Sequence, residues 1–142
     1  MKNILLIILL CFIGFSCDTS KKEDIVKNAE LVMYKPSEMA LLMNEMYLFN
    51  EKTKEKIIKN EDLGEFPANF LNIHSAILTD PTDRTVGFEG FSQAFLINQQ
   101  AVFSADTTDK KEQFNVMVNS CVACHKTTCI GPIPKIKKLL IR

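Results

Sequence analysis

The sequence predicts an all-α protein, an antiparallel four-helix bundle, on three observations. Apolar residues recur at three- and four-residue spacing in four separate stretches. No run of any length alternates apolar and polar residues as a half-buried strand would. The connections between the stretches are mostly short, which favours helices packed as antiparallel neighbours. At 142 residues, 46% of them hydrophobic, the chain can bury one real core.

The first helix is predicted from Ser37 to Lys59. Pro36 suits its start, and Met39, Leu42, Met43, Met46, Phe49 and Thr53 make its apolar face. Glu51, Lys52, Lys54, Glu55 and Lys56 form a solvated stretch, and Gly64 closes the connection. A shorter second helix is predicted from Pro67, with Phe70, Ile73 or His74, and Ile77 on one face, ended by Thr79-Asp80-Pro81. Thr82 to Gly90 is expected as the longest loop. Helix three is predicted from Phe91 to Ser104, with Phe91, Phe95, Leu96, Val102 and Phe103 apolar. Helix four opens on Asp109-Lys110-Lys111-Glu112, the offset of a capping box. Its inner stripe is Phe114, Met117, Val118, Cys121 and Cys124-His125, and Gly131-Pro132 is expected to stop it. Phe70, Phe91, Phe95, Phe103 and Phe114 read as core.

The two ends of the chain differ in character. Lys2 and the apolar run Ile4 to Ile13 have the layout of a secretory signal, too short to span a membrane as a helix. Gly14-Phe15-Ser16-Cys17 resembles a relaxed bacterial lipobox, which makes Cys17 the lipidated first residue of the mature chain; ordinary cleavage is the alternative. Residues 1–17 are thus expected as a lipoprotein signal, 18–35 as a polar tether, 36–130 as the helical bundle and 131–142 as a basic tail. The expected location is the periplasm or the cell surface, on a membrane. Overall charge is balanced, 17 basic residues against 17 acidic, which argues against nucleic-acid binding. After Glu112, however, only basic residues carry charge: Lys126, Lys135, Lys137, Lys138 and Arg142. The tail is expected either to pack back on the bundle or to extend as a basic docking edge.

Of five cysteines, Cys11 leaves with the signal and Cys17 carries lipid. Cys121, Cys124 and Cys129 remain, an odd number crowded into the segment CVACHKTTC, whereas a disulfide framework scatters cysteines along a chain. Cys-x-x-Cys-His is the attachment sequence of c-type haem. On a helix, residues three apart share a face, so Cys121 and Cys124 can reach the two vinyl groups at one haem edge. His125, four residues beyond Cys121, can turn its imidazole to the iron. Zinc could instead take Cys121, Cys124, His125 and Cys129, but structural zinc sites usually draw ligands from two separate pairs. A redox dithiol usually follows a strand and opens a helix, and this motif comes late in one. Cys129 is expected as a small packed residue, or as a disulfide partner of another chain.

A haem motif at the C-terminal end of four helices, with a Met-bearing first helix and two shorter middle ones, resembles the class II c-type cytochromes, the cytochrome c prime family. The resemblance covers about residues 30 to 129 and rests most on Asn119-Ser120-Cys121-Val122-Ala123-Cys124-His125-Lys126. It implies one covalent haem c, with Lys35 near a propionate and Met39 on the distal side of the iron. Methionine at that position resembles the electron-carrying branch; an open position resembles the branch that binds nitric oxide or carbon monoxide. Thr128 and Cys129 stand where the family has an aromatic and then a basic residue. The chain also continues beyond the point where family members end.

Met39, Met43 and Met46, half of the six methionines, share one helical face. Met39 is the first candidate for a sixth iron ligand, Met43 a weaker one and His74 a remote third. Methionine also fills irregular space around a bulky group, which at least two of the three must do. The expected function is single-electron transfer by a membrane-anchored monohaem cytochrome. The alternatives are a haem-based binder or sensor of NO, CO or O2 and, in another class, a zinc or thiol-redox protein. No acid–base or nucleophile constellation is visible, so no enzymatic activity is expected. The expected partners are redox proteins of the cell envelope and the membrane through the lipid; a homodimer stays open.

Overall fold

The structure, a computed structural model, describes residues 35–106 and 108–142. The signal, Cys17 and the tether up to residue 34 lie outside the described residues. Every regular element among those described is helical, and no strand occurs among them.

Helix α1 spans Glu38–Lys59. The Ser37 side chain caps it by accepting the Ala40 amide at 3.1 Å. Glu38 lies in its first turn and Lys56 and Lys59 in its last, each complementing the helix dipole. Asn60 ends it with φ 54°, a left-handed conformation that asparagine adopts more readily than most residues. A third anchor comes from outside the helix. The Met39 amide donates to the Ile77 carbonyl at 3.0 Å, and the Ile77 amide donates to Glu38 Oε2 at 3.0 Å. The first turn of α1, and Met39 with it, is thereby fixed.

The expected second helix is a 3-10 helix, Ala68–His74, and it ends before Ile77, which is exposed. Asn69, Asn72 and His74 are poor helix formers, and the segment closes on the Asn72 carbonyl, which accepts both the Ser75 amide at 3.0 Å and the Ala76 amide at 2.8 Å. Phe70 and Ile73 still reach the core, as the spacing required. A second 3-10 turn, Pro81–Asp83, leads into α2, Val86–Ser104. Helix α2 thus begins five residues before the predicted start. Thr85 caps it by accepting the Phe88 amide at 3.1 Å, and burial of Phe88 offsets the helical cost of Gly87 and Gly90.

Helix α3 spans Lys110–His125 and starts where the sequence indicated, but the Asp109 side chain makes no capping bond, so the expected capping box is absent. Phe114, Met117 and Val118 are fully buried on its inner stripe. It stops before the expected Gly131-Pro132, because Thr127 Oγ1 donates to the Cys124 carbonyl at 2.7 Å and terminates the backbone ladder. The chain then reverses into a short helix α4, Ile133–Ile136, and a 3-10 turn, Lys137–Leu139.

The C-terminal segment packs back on the helices. Ile136, Leu139 and Ile141 are buried. Lys54 Nζ donates to the carbonyls of Lys138 and Leu140 at 2.7 and 3.0 Å. Asn115 brackets Ile141, donating to its carbonyl and accepting its amide, both at 2.9 Å. Helices α2 and α3 are the most closely packed pair. Phe49, Phe66, Phe70 and Phe103 make a separate edge-and-stack cluster with centroids 5.2 to 6.2 Å apart. A buried amide pair, Gln99 Nε2 donating to Asn50 Oδ1 at 3.1 Å, ties α2 to α1. No described helix is long and apolar enough to cross a membrane. Leu139→Ala removes a side chain only 3% exposed. It should cost about 2–5 kcal/mol in chemical denaturation if the segment is part of the core, and close to nothing if the segment is a loose tail.

Candidate functional site

Between α1, α3 and the returning C-terminal segment lies a cavity of about 590 Å³. That size is within the range of cofactor and ligand pockets, roughly 300–1,000 Å³. Met39, Met43 and Met46 line it from α1, and Phe88, Phe91 and Phe95 from α2. Cys121, Cys124 and His125 line it from the last turn and a half of α3. The three residues of the Cys-x-x-Cys-His motif and the methionine face therefore meet at one space, as their helical faces required. Thr128, Cys129, Pro132 and Leu139 belong to the wall that the C-terminal segment supplies.

The Cys121 and Cys124 side chains are half-buried and free, and Cys121 Sγ lies 3.9 Å from Met117 Sδ. Burial, with a smaller contribution from the neighbouring Cys124, pushes the Cys121 thiol up to about 12; burial raises Cys124 as well. Both shifts run opposite to the lowered thiol pKa that activates a redox dithiol. Among the described residues, no three His, Cys, Asp or Glu side chains come together as a metal-holding group. Cys121, Cys124, His125 and Cys129 thus do not form the tetrahedral set that the zinc alternative needs.

His125 is oriented by the chain that follows it. Its Nδ1 donates to the Cys129 carbonyl at 2.8 Å, which makes Nδ1 the protonated nitrogen and leaves the Nε2 lone pair free. Metal-binding histidines are ordinarily held in this way by a carbonyl or carboxylate on the other nitrogen. Cys129 accordingly contributes its backbone here, while its side chain is exposed.

Two residues named from the sequence lie elsewhere. Lys35 is exposed ahead of α1 and is not among the residues lining the cavity. His74 also lies outside the lining; its Nδ1 is 3.1 Å from Glu89 Oε2 and 3.2 Å from Ser92 Oγ. Arg84 completes that cluster, donating to the carbonyls of His74 and Ala76 at 2.7 and 2.6 Å and to Glu89 Oε1 at 3.2 Å. Hydrogen bonds from His74 and then Arg84 hold the Glu89 carboxyl below its ordinary range. The cluster locks the 3-10 segment to α2.

Several cavity residues carried no individual signal in the sequence. Phe88 was hidden in an expected loop. Tyr47, Asn50 and Ser92 are polar residues on the inner faces of α1 and α2, and Lys135 reaches the cavity only because the C-terminal segment folds back. Comparison with protein-family models, with curated proteins and with solved structures gives no match for this chain. The site therefore rests on its own geometry.

Tyr47 carries the clearest pH signature. Its hydroxyl donates to Glu51 Oε1 at 2.6 Å, and that bond, followed by burial and the Glu51 charge, pushes the phenol up to about 12. The folded chain holds this proton more tightly than the unfolded chain. Its contribution is therefore full below the ordinary tyrosine value of about 10 and is lost as pH rises to about 12. In denaturation experiments, the stability advantage of wild type over Tyr47→Phe should be present at neutral pH and shrink across that alkaline window. An advantage that grows with pH would contradict the assignment.

Proposed function

We propose that the protein is a monohaem c-type cytochrome of the cell envelope that carries single electrons, held to the membrane by lipid at Cys17. One observation carries this reading. Cys121, Cys124 and His125 converge on an apolar cavity of about 590 Å³, with His125 Nδ1 already committed to the Cys129 carbonyl. The donor set fits haem, because a porphyrin supplies four of the iron's ligands and the protein needs to add only axial ones.

Cys121 and Cys124 would hold the group through thioether bonds, and His125 Nε2 would be the proximal ligand. A haem bound there supplies a one-electron Fe(III)/Fe(II) couple. Phe88, Phe91 and Phe95 exclude water from the cavity, and the methionine face of α1 offers thioether sulfur. Met39, buried and pinned in the first turn of α1, is the leading distal candidate, and the half-buried Met43 is the second. Histidine–methionine ligation raises haem potential and suits electron transfer. A sensor of NO, CO or O2 needs an open distal face, and three methionines line this cavity, which favours the carrier. The all-α architecture and the C-terminal place of the motif are compatible with a cytochrome c prime-like bundle, here with the C-terminal segment supplying one wall.

Redox proteins of the envelope are the fitting partners. An absorption spectrum of protein matured through export tests the proposal. A Soret band that survives acid–acetone extraction is expected; a colourless protein, or colour lost on extraction, would overturn it.

A further inference from the structure

Lys135 is the only lysine or arginine that lines the cavity among the described residues. It comes from α4, on the segment that reaches past the haem motif. Its position is not accidental to a loose tail: Ile136 beside it is buried, and Lys54 and Asn115 fasten the residues that follow. The ammonium rests 4.1 Å from the centroid of the Tyr47 ring and 3.4 Å from Asn44 Oδ1. It forms no salt bridge with any described residue. Two of its three hydrogens are thus left for another acceptor.

An apolar cavity with one free ammonium at its wall is suited to an occupant with an apolar body and an anionic end. Lys135 and Asn44 are exposed, so this end of the cavity is its rim. There an anionic group can stay hydrated and pair with the ammonium while the apolar body lies against Phe and Met side chains. The other charges around Lys135 do not satisfy it. Asp83 lines the cavity without approaching the ammonium, and Glu51 lies behind Tyr47, bonded to its hydroxyl. His125 faces the cavity from α3, and Lys137 and Lys138, exposed like Lys135 itself, do not line the cavity.

We infer that Lys135, with Asn44 and the face of Tyr47, forms the end of the cavity that receives the carboxylates of the bound cofactor. This rests on the haem reading, in which the carboxylates are the two propionates. Lys135 leaves the Tyr47 ring to donate to a propionate oxygen and holds that carboxylate in its ionised form. The role expected for Lys35 then belongs to a residue one hundred positions later in the chain.

The test uses the full-length protein, isolated with its cofactor, as wild type and as Lys135→Gln, Lys135→Arg and Lys137→Gln. The reduction potential is measured across the acid to neutral pH range, and covalent haem is quantified in each sample. An opposite charge at close range lowers a carboxylate pKa by about 1–3 units. Lys135→Gln should therefore move the carboxylate-linked inflection of the potential upward by about one pH unit or more. Lys135→Arg and Lys137→Gln should stay near wild type. An inflection unmoved in Lys135→Gln, with haem content normal, would overturn the inference and leave the cytochrome reading standing. An equal shift in Lys137→Gln would mean a general charge effect and would overturn it too. Wild type without covalent haem would defeat the cytochrome reading itself, and this inference with it.

Discussion

A single hydrogen bond, His125 Nδ1 to the Cys129 carbonyl at 2.8 Å, sits at the point on which the site turns. It does three things at once. It fixes the imidazole tautomer, it leaves Nε2 available toward the cavity, and it holds the reversal through which the chain leaves α3. Because the chain reverses there, residues 131–139 return along α1 instead of extending away. They wall the cavity with Leu139 and bring Lys135 to it. A neutral hydrogen bond is worth only about 0.5–1.5 kcal/mol. Its importance is geometric: it couples the His125 imidazole to the segment that encloses the cavity.

The remaining packing divides the molecule's apolar content between two jobs. Phe49, Phe66, Phe70 and Phe103 pack on one another, ring against ring, and hold α1, the first 3-10 helix and α2 together. Phe88, Phe91 and Phe95 instead face the cavity with the three methionines. The first group supplies a core that does not depend on an occupant. The second presents polarizable, adaptable surface, which suits a large flat group better than a close-packed protein interior would. The buried Asn50–Gln99 pair crosses between α1 and α2, and Asn50 also lines the cavity.

The helical content and the inner faces of α1 and α3 were legible in the sequence because each depends on local periodicity. Met39, Met46, Phe114, Met117 and Val118 are buried as their spacing required. The motif residues were legible for the same reason, being three and four apart on one helix. Elements decided by competing local bonds were not. The 3-10 helix at Ala68–His74 ends on the Asn72 carbonyl, which accepts from the Ser75 amide and hydroxyl and from the Ala76 amide, and α2 begins early because Thr85 caps it. The roles of Cys129 and Lys135 were the least legible. Cys129 acts through its backbone, which its side chain does not reveal, and Lys135 owes its place to tertiary docking of the C-terminal segment.

The proposed cytochrome makes unequal demands on the three cysteines of the cluster. Cys121 and Cys124 are consumed in bonds to the cofactor, while Cys129 stays an exposed thiol. Alkylation of the denatured, export-matured protein, followed by peptide mass spectrometry, measures this directly. The account predicts one peptide in which Cys129 alone is alkylated and Cys121 and Cys124 carry the mass of one haem. Alkylation of all three cysteines, or a disulfide joining Cys121 and Cys124, would contradict it.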